Sequence, residues 1–161
     1  MNAPLRLHVK YLPIGVLRGR PNNARRHSSK QLHQIAKSIR EFGFTCPVLI
    51  DEKNIIIAGH GRVEGAKLAG LSQVPTICVD HLTPQQVRAY VIADNRLAEK
   101  ASWDAEILKS EFQYLAEELE FDLEVTGFDS AEIDLILDGN VTTSSADPAD
   151  LIPWCASARG L

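Results

Sequence analysis

The sequence predicts an α/β (α+β) fold: a small mixed sheet with packed helices, followed by a short acidic helical extension. The isoleucine run Ile55-Ile56-Ile57 passes through Gly59-His60-Gly61 into Arg62 to Leu68, a stretch of good helix formers with apolar residues about four apart. Strand-like and helix-like patterns alternate on either side of that unit. From Ser102 the strand patterns stop and acidic, amphipathic helix patterns take over. The expected divisions are 1–98 for the α/β domain, 99–138 for the extension and 139–161 for a linker-like tail.

In chain order, Leu7, Val9 and Tyr11 alternate with polar neighbours and predict a first strand. Pro13, Gly15, Gly19 and Pro21 interrupt any regular pattern after it, so Asn22 to His27 is an exposed loop. Ser28 or Ser29 caps a helix over 29–42, with Leu32, Ile35, Ala36 and Ile39 on one face and Gly43 as its stop. Pro47 to Ile50 and Asn54 to Ile57 flank Asp51-Glu52-Lys53 as a hairpin. Gly70 closes the helix of the glycine turn, and Val74 to Val79 is a further strand whose Pro75 marks a strand start or a sheet edge. Thr83-Pro84-Gln85-Gln86 opens a helix with a cap and an early proline; it is expected to end near Asp94-Asn95-Arg96, with Asn95 as a terminal cap. Asp104 caps the next helix, whose apolar face is Ile107, Leu108, Phe112, Leu115 and Leu119, with Trp103 and Tyr114 expected in the core. Ala131 to Leu137 forms a last helix turning Ile133, Ile136 and Leu137 inward.

The 45% apolar and 24% charged fractions of the 161 residues are those of an ordinary globular protein. No apolar run is long enough to cross a bilayer and the N-terminus lacks a signal core, so the expected location is cytoplasmic, away from membranes. Cys46, Cys78 and Cys155 have no paired spacing, which argues against a disulfide framework and leaves no metal site. The net charge of −4 hides an asymmetry: residues 1–40 carry arginines and lysines and no acid, whereas 104–138 are acidic apart from Lys109. A basic front suits a polyanion partner; it equally suits pairing with the acidic back.

A strand turning through glycines into a helix start makes an anion site, because the first-turn amides lack partners and the helix dipole favours negative charge. Arg62 is placed to clamp a phosphate there. The same stretch also reads as a plain corner whose glycines serve geometry alone. Four loops converge on one candidate site: Arg25-Arg26-His27, Phe44-Thr45-Cys46-Pro47, Gly59-His60-Gly61-Arg62 and Asp94-Asn95-Arg96. Arginines and amides suit phosphates, and Thr45 and Asn95 suit the polar atoms of a base or sugar. Arg18, Arg20, Arg26 and Lys30 are the DNA-contacting candidates, and each also reads as solvated surface. No GxxxxGK[ST], strand-linked GxGxxG, HExxH or CxxC is present.

Asn23-Ala24-Arg25, then Ser38 to Val48, then Ile57-Ala58-Gly59-His60-Gly61-Arg62, then Ala66 to Leu71 and Val74-Pro75 together resemble the ParB N-terminal/sulfiredoxin-like superfamily over about residues 6–98. With Ala93 to Ala98 and Thr126 to Asp129 the chain is more narrowly similar to the ParB-like module ahead of DNA methyltransferase domains in phage-type proteins. The resemblance implies a nucleoside triphosphate ligand (CTP or ATP, with Mg²⁺ left open), its phosphates held by Gly59, His60, Gly61, Arg62 and Arg25, and its base and ribose near Thr45, Asn95 and Arg96. It implies DNA, a DNA methyltransferase domain or subunit and a second copy of the chain as partners, in a regulatory domain of a mobile element. The turn reads Gly-His-Gly-Arg where partition proteins carry Gly-Glu-Arg-Arg, so neither hydrolysis nor metal binding is implied. A partition protein continues into a helix-turn-helix, for which residues 104–138 are expected to be too short and too acidic. Asp147 to Pro153 resembles a linker into a methyltransferase, which points to a truncated or separately encoded regulatory half. The enzymatic alternative is a weak nucleoside triphosphatase, a phosphotransferase or a nuclease, for which only Glu41, Glu64 and Asp94 lie near the turn. A protein-interaction module without ligand is the third reading.

Overall fold

The computed structural model describes residues 6–23, 25–117 and 121–139. Ala24, Leu119, Cys155, the Asp147–Pro153 segment and nearly all of the expected 139–161 tail lie outside the described residues. The elements are β1 (Val9–Pro13), α1 (Ser29–Phe42), β2 (Val48–Ile50), β3 (Ile56–Ala58), α2 (His60–Ala69), β4 (Gln73–Cys78), α3 (Pro84–Lys100), α4 (Ala105–Glu117) and α5 (Ser130–Leu137), with a 3₁₀ turn at Leu123–Thr126 before α5. The sheet runs β1-β4-β2-β3, with β2 and β4 parallel and the other pairs antiparallel, so it is small and mixed as expected.

Ser28 caps α1 by accepting from the Gln31 amide at 3.1 Å, and Gly43 leaves the helix at φ 79°. The apolar side of α1 meets α2 so closely that a methyl at Gly65 would lie 2.5 Å from Ile35 Cγ2. Ile39, Val48, Ile50, Ile56, Val63, Ala66 and Val74 form the core between this helix pair and the sheet. Leu108, Phe112, Ile133 and Ile136 make a second, smaller core, with Phe128 packed edge-on to Phe112. That smaller unit rests on α1 through ion pairs: Lys30 with Asp129 at 2.6 Å, and Lys37 with Asp122 at 2.6 Å and Glu124 at 3.0 Å. For these lysines the basic front does pair with the acidic back.

The chain after β1 runs along the open side of β3, where the Arg18 amide donates to Asn54 O at 2.9 Å and the Ile56 amide to Arg18 O at 2.9 Å. This path brings Arg20 and His27 to the start of α2, the first through its amide on His60 and the second against Gly61.

Several expectations need correction. Pro75 sits inside a central strand, yet β2 pairs with β4 only from Val48↔Thr76 onward, so Pro75 is flanked by β1 alone and needs no second ladder. α2 starts at His60 rather than Arg62, because Gly59 at φ 105° already makes the turn. α3 continues to Lys100, well past Asp94-Asn95-Arg96. Asn95 is therefore mid-helix, its Nδ2 donating to Val91 O at 2.7 Å, and caps nothing. Ile107, Trp103 and Tyr114 are 61%, 62% and 64% exposed, because the small second core is filled by one side of α4 and α5. Cys46 and Cys78, expected as buried or incidental free thiols, are free and exposed.

Candidate functional site

At the end of β3 the buried Ile56, Ile57 and Ala58 deliver Gly59, the left-handed N-cap of α2. The first α2 amide with a carbonyl a turn behind it is Val63, bonding Gly59 O at 3.0 Å. The amides of His60, Gly61 and Arg62 precede it and have no intrahelical acceptor. These three residues line a cavity of about 190 Å³ bordered by Arg25, His27, Asp94 and Asn95.

The sequence suggests glycines that admit a ligand to the backbone; in the structure they admit the chain's own side chains. A Cβ at Gly59 would lie 3.3 Å from Arg62 Nη2, and one at Gly61 would lie 2.8 Å from His27 Cε1 and Nε2. Arg62 Nη1 donates to Cys46 O at 2.7 Å, so the guanidinium lies across the corner and ties α2 to the loop before β2. His27 Nδ1 meets Gln31 Oε1 at 3.0 Å; with a carbonyl oxygen as acceptor, Nδ1 carries the proton. His60 Nε2 accepts from the Arg20 amide at 3.2 Å. Burial, then the nearby His27 and Arg20, push the His60 imidazole below its usual pKa of 6.5.

Arg25 lines the same cavity, but its Nη1 is engaged by Glu99 Oε1 at 2.6 Å. Arg96 pairs with the other oxygen of Glu99 at 3.3 Å and stays outside the cavity. Thr45 lines a second cavity, of about 360 Å³, between α1, the loop before β2 and Val125–Gly127. Arg62 and Ile35 belong to both cavities. The structure therefore gathers Gly59, His60, Gly61, Arg62, Arg25 and Asn95 around one hollow, places Thr45 across Arg62 from it, and leaves Arg96 out. Arg18 and Arg26 are exposed, Arg20 is half-buried with its amide on His60, and Lys30 is held by Asp129, which raises its pKa. Glu99 carries no local signal in the sequence, because its partner Arg25 is 74 positions away. Among the described residues no three His, Cys, Asp or Glu side chains gather into a metal-holding group.

Residues 5–95 match the ParB N-terminal domain family and residues 106–158 match the ParB-methyltransferase HTH domain family. The second match, which covers a third of the chain and runs beyond residue 138, points against the expectation that residues 104–138 are too short and too acidic to belong to a helix-turn-helix. Acidic surface residues set a segment's charge, whereas its helix arrangement comes from the apolar contacts of Leu108, Phe112, Ile133 and Ile136. The ParB-like nuclease domain-containing protein YnaK of Escherichia coli (strain K12) is 47% identical over 81 residues, covering 50% of this chain and 93% of that protein. The probable chromosome-partitioning protein ParB of Treponema pallidum is 40% identical over 74 residues, 43% of this chain and 23% of that protein. The match thus spans nearly all of the first relative and under a quarter of the second. The C-terminally truncated ParB of Caulobacter crescentus, solved with CTP-gamma-S, shares the fold at a TM-score of 0.67 and 22% identity, over 84% of this chain and 87% of that one. Among the described residues no helix is long and apolar enough to cross a membrane.

Proposed function

This chain belongs to the ParB N-terminal domain family, and from that premise we propose that it is a nucleotide-responsive, DNA-associated module working with a DNA methyltransferase in a mobile element. The observation that carries the nucleotide reading is the α2 corner, where acceptor-free amides at His60 to Arg62 meet the Arg62 guanidinium between two cavities. The 190 Å³ hollow is smaller than the ~300 Å³ at which ligand pockets begin, so a nucleotide would span it and its 360 Å³ neighbour on the other side of Arg62. The phosphates of a nucleoside triphosphate would lie on the α2 amides with Arg62 and Arg25, and base and ribose toward Thr45. A phosphate offers the Arg62 guanidinium a charged, two-toothed partner in place of the single Cys46 carbonyl, and it competes with the Glu99 carboxylate for Arg25. The lone carboxylate of the smaller cavity, Asp94, suits a Mg²⁺ that arrives with the phosphates, since that ion typically takes one or two carboxylates and keeps its waters.

CTP is the favoured nucleotide, in keeping with the CTP-gamma-S-bound relative, and ATP is the competitor. Arg18, Arg20 and Arg26 supply the DNA-facing charge of the α/β domain, the match at 106–158 supports the methyltransferase association, and a second copy of the chain is a further partner. Calorimetry with CTP and ATP, each with Mg²⁺, tests the reading: heat from the parent chain and none from Arg62→Ala is expected. No heat from the parent with either nucleotide overturns it. Metal-dependent DNA nicking that survives Arg62→Ala would favour a nuclease.

A further inference from the structure

The two edges of the sheet are finished differently. The outer side of β3 is covered by the chain itself, through the Arg18 amide on Asn54 O and the Ile56 amide on Arg18 O, both at 2.9 Å. β1 ends the sheet on the other side, and among the described residues no strand pairs with its outer edge. The phase of the β1–β4 ladder fixes what that edge presents. The Ile14 amide donates to Ser72 O at 2.9 Å, in the register that sets Leu12 opposite Val74 and Lys10 opposite Thr76, so these residues turn their backbone groups toward β4. Pro75, opposite Tyr11, has no amide hydrogen to serve the other phase. The N–H and C=O of Val9 and of Tyr11 therefore point out of the sheet.

The side chains fit the same reading. Leu7, Val9 and Tyr11 are 46%, 52% and 67% exposed, on the sheet face away from Leu12 and the main core. Ile77 and Pro75 stand opposite Val9 and Tyr11, so the apolar surface continues inward from the edge. Arg6, His8 and Lys10 take the alternate positions and are exposed. Among the described residues Arg6 and Lys10 have no ion-pair partner. A DNA backbone answers those cations but brings no N–H to the Val9 and Tyr11 carbonyls.

We propose that the outer edge of β1 docks an extended segment of a partner protein in which acidic and apolar residues alternate, added to the four-stranded sheet as a further strand. Its backbone pairs with Val9 and Tyr11, its apolar side chains lie beside Leu7, Val9 and Tyr11, and its carboxylates lie beside Arg6 and Lys10. The α2 corner takes no part, so this site is independent of the nucleotide reading.

The probe is the octapeptide Glu-Val-Glu-Val-Glu-Val-Glu-Val, titrated into the full chain beside its Lys-Val counterpart. Saturable binding of the acidic peptide alone is expected, with slower exchange at the Val9 and Tyr11 amides and no change at Lys10 and Leu12, which already bond β4. Val9→Pro removes an outward donor without touching the β4 ladder and should lose at least about threefold in affinity at an unchanged melting temperature. Lys10→Glu should turn the preference toward the basic peptide; should Val9→Pro melt earlier, this variant and the exchange pattern decide. No binding of the acidic peptide by the parent, equal binding of both peptides, or binding that leaves the Val9 and Tyr11 amides unchanged overturns the proposal. So does a concentration-dependent dimer of the parent that Val9→Pro disperses, since a second copy then covers the edge.

Discussion

A methyl group at position 61 would stand 2.8 Å from the His27 ring, whose Nδ1 is anchored to Gln31. The ring must then leave its place against α2, and an overpacked site of this kind costs ~1–3 kcal/mol. Gly61→Ala is expected to lower the denaturant midpoint accordingly. Gly15→Ala, where nothing lies within 4 Å of the added atom, is the neutral control. His60 predicts a pH effect. Its folded pKa lies below 6.5, and its Nε2 is committed to accepting the Arg20 N–H. Well above pH 6.5 the imidazole is neutral in both folded and unfolded chains and contributes nothing to the pH dependence. Just below 6.5 the unfolded chain takes the proton first, so stability falls until the folded pKa is also passed. His60→Gln keeps an acceptor for Arg20 and removes the titration. Its melting temperature should fall less steeply than the parent's in that window; an identical slope would assign the effect elsewhere.

At the scale of elements, α3 stands out because none of its residues is buried. Its stability then leans on its own ends, where Thr83 Oγ1 accepts from the Gln86 amide at 3.2 Å and Gln86 Oε1 from the Thr83 amide at 2.8 Å. Thr83→Ala should cost ~1 kcal/mol, read as faster amide exchange confined to the first turns of α3. This box is legible in the sequence because capping is written in adjacent letters, as are Ser28 before α1 and Gly59 and Gly70 around α2. What depends on partners is not. Pro75 is tolerated because β2 begins pairing one residue later, a matter of register. The far end of α3 is hidden because Asp94-Asn95-Arg96 looks polar enough to stop a helix, whereas the next break in helical backbone is Ala101 at ψ 144°. The glycine corner is legible as a strand-turn-helix, but no local pattern says that His27 and Arg62 lie on it. The sequence puts Thr45, read as a base or sugar contact, in one site with the phosphate loops, because spacing does not reveal that Arg62 stands between two cavities.

Over the whole molecule the charge asymmetry resolves into two kinds of cation. Lys30 and Lys37 on α1 are taken up by Asp129, Asp122 and Glu124; the lysines depress the pKa values of Asp129 and Asp122, and the Ser130 hydroxyl and then Lys37 depress that of Glu124, so this attachment is kept above the ordinary carboxylate range and lost as pH falls through the depressed values. Arg18 and Arg26 are exposed on the stretch that runs past β3 to α2. If DNA is held by the arginine stretch, each phosphate contact contributes about 0.9 to the slope of log affinity against log salt. Arg26→Ala should therefore flatten that slope by about one contact, lowering affinity on every sequence alike. Lys30→Ala should leave the slope unchanged, because its charge is already answered by Asp129 at 2.6 Å. Slopes from fluorescence-anisotropy titrations over a salt series decide between them. An equal flattening by Lys30→Ala would mean that DNA strips Asp129 from α1, so that the acidic segment and the DNA backbone compete for one lysine.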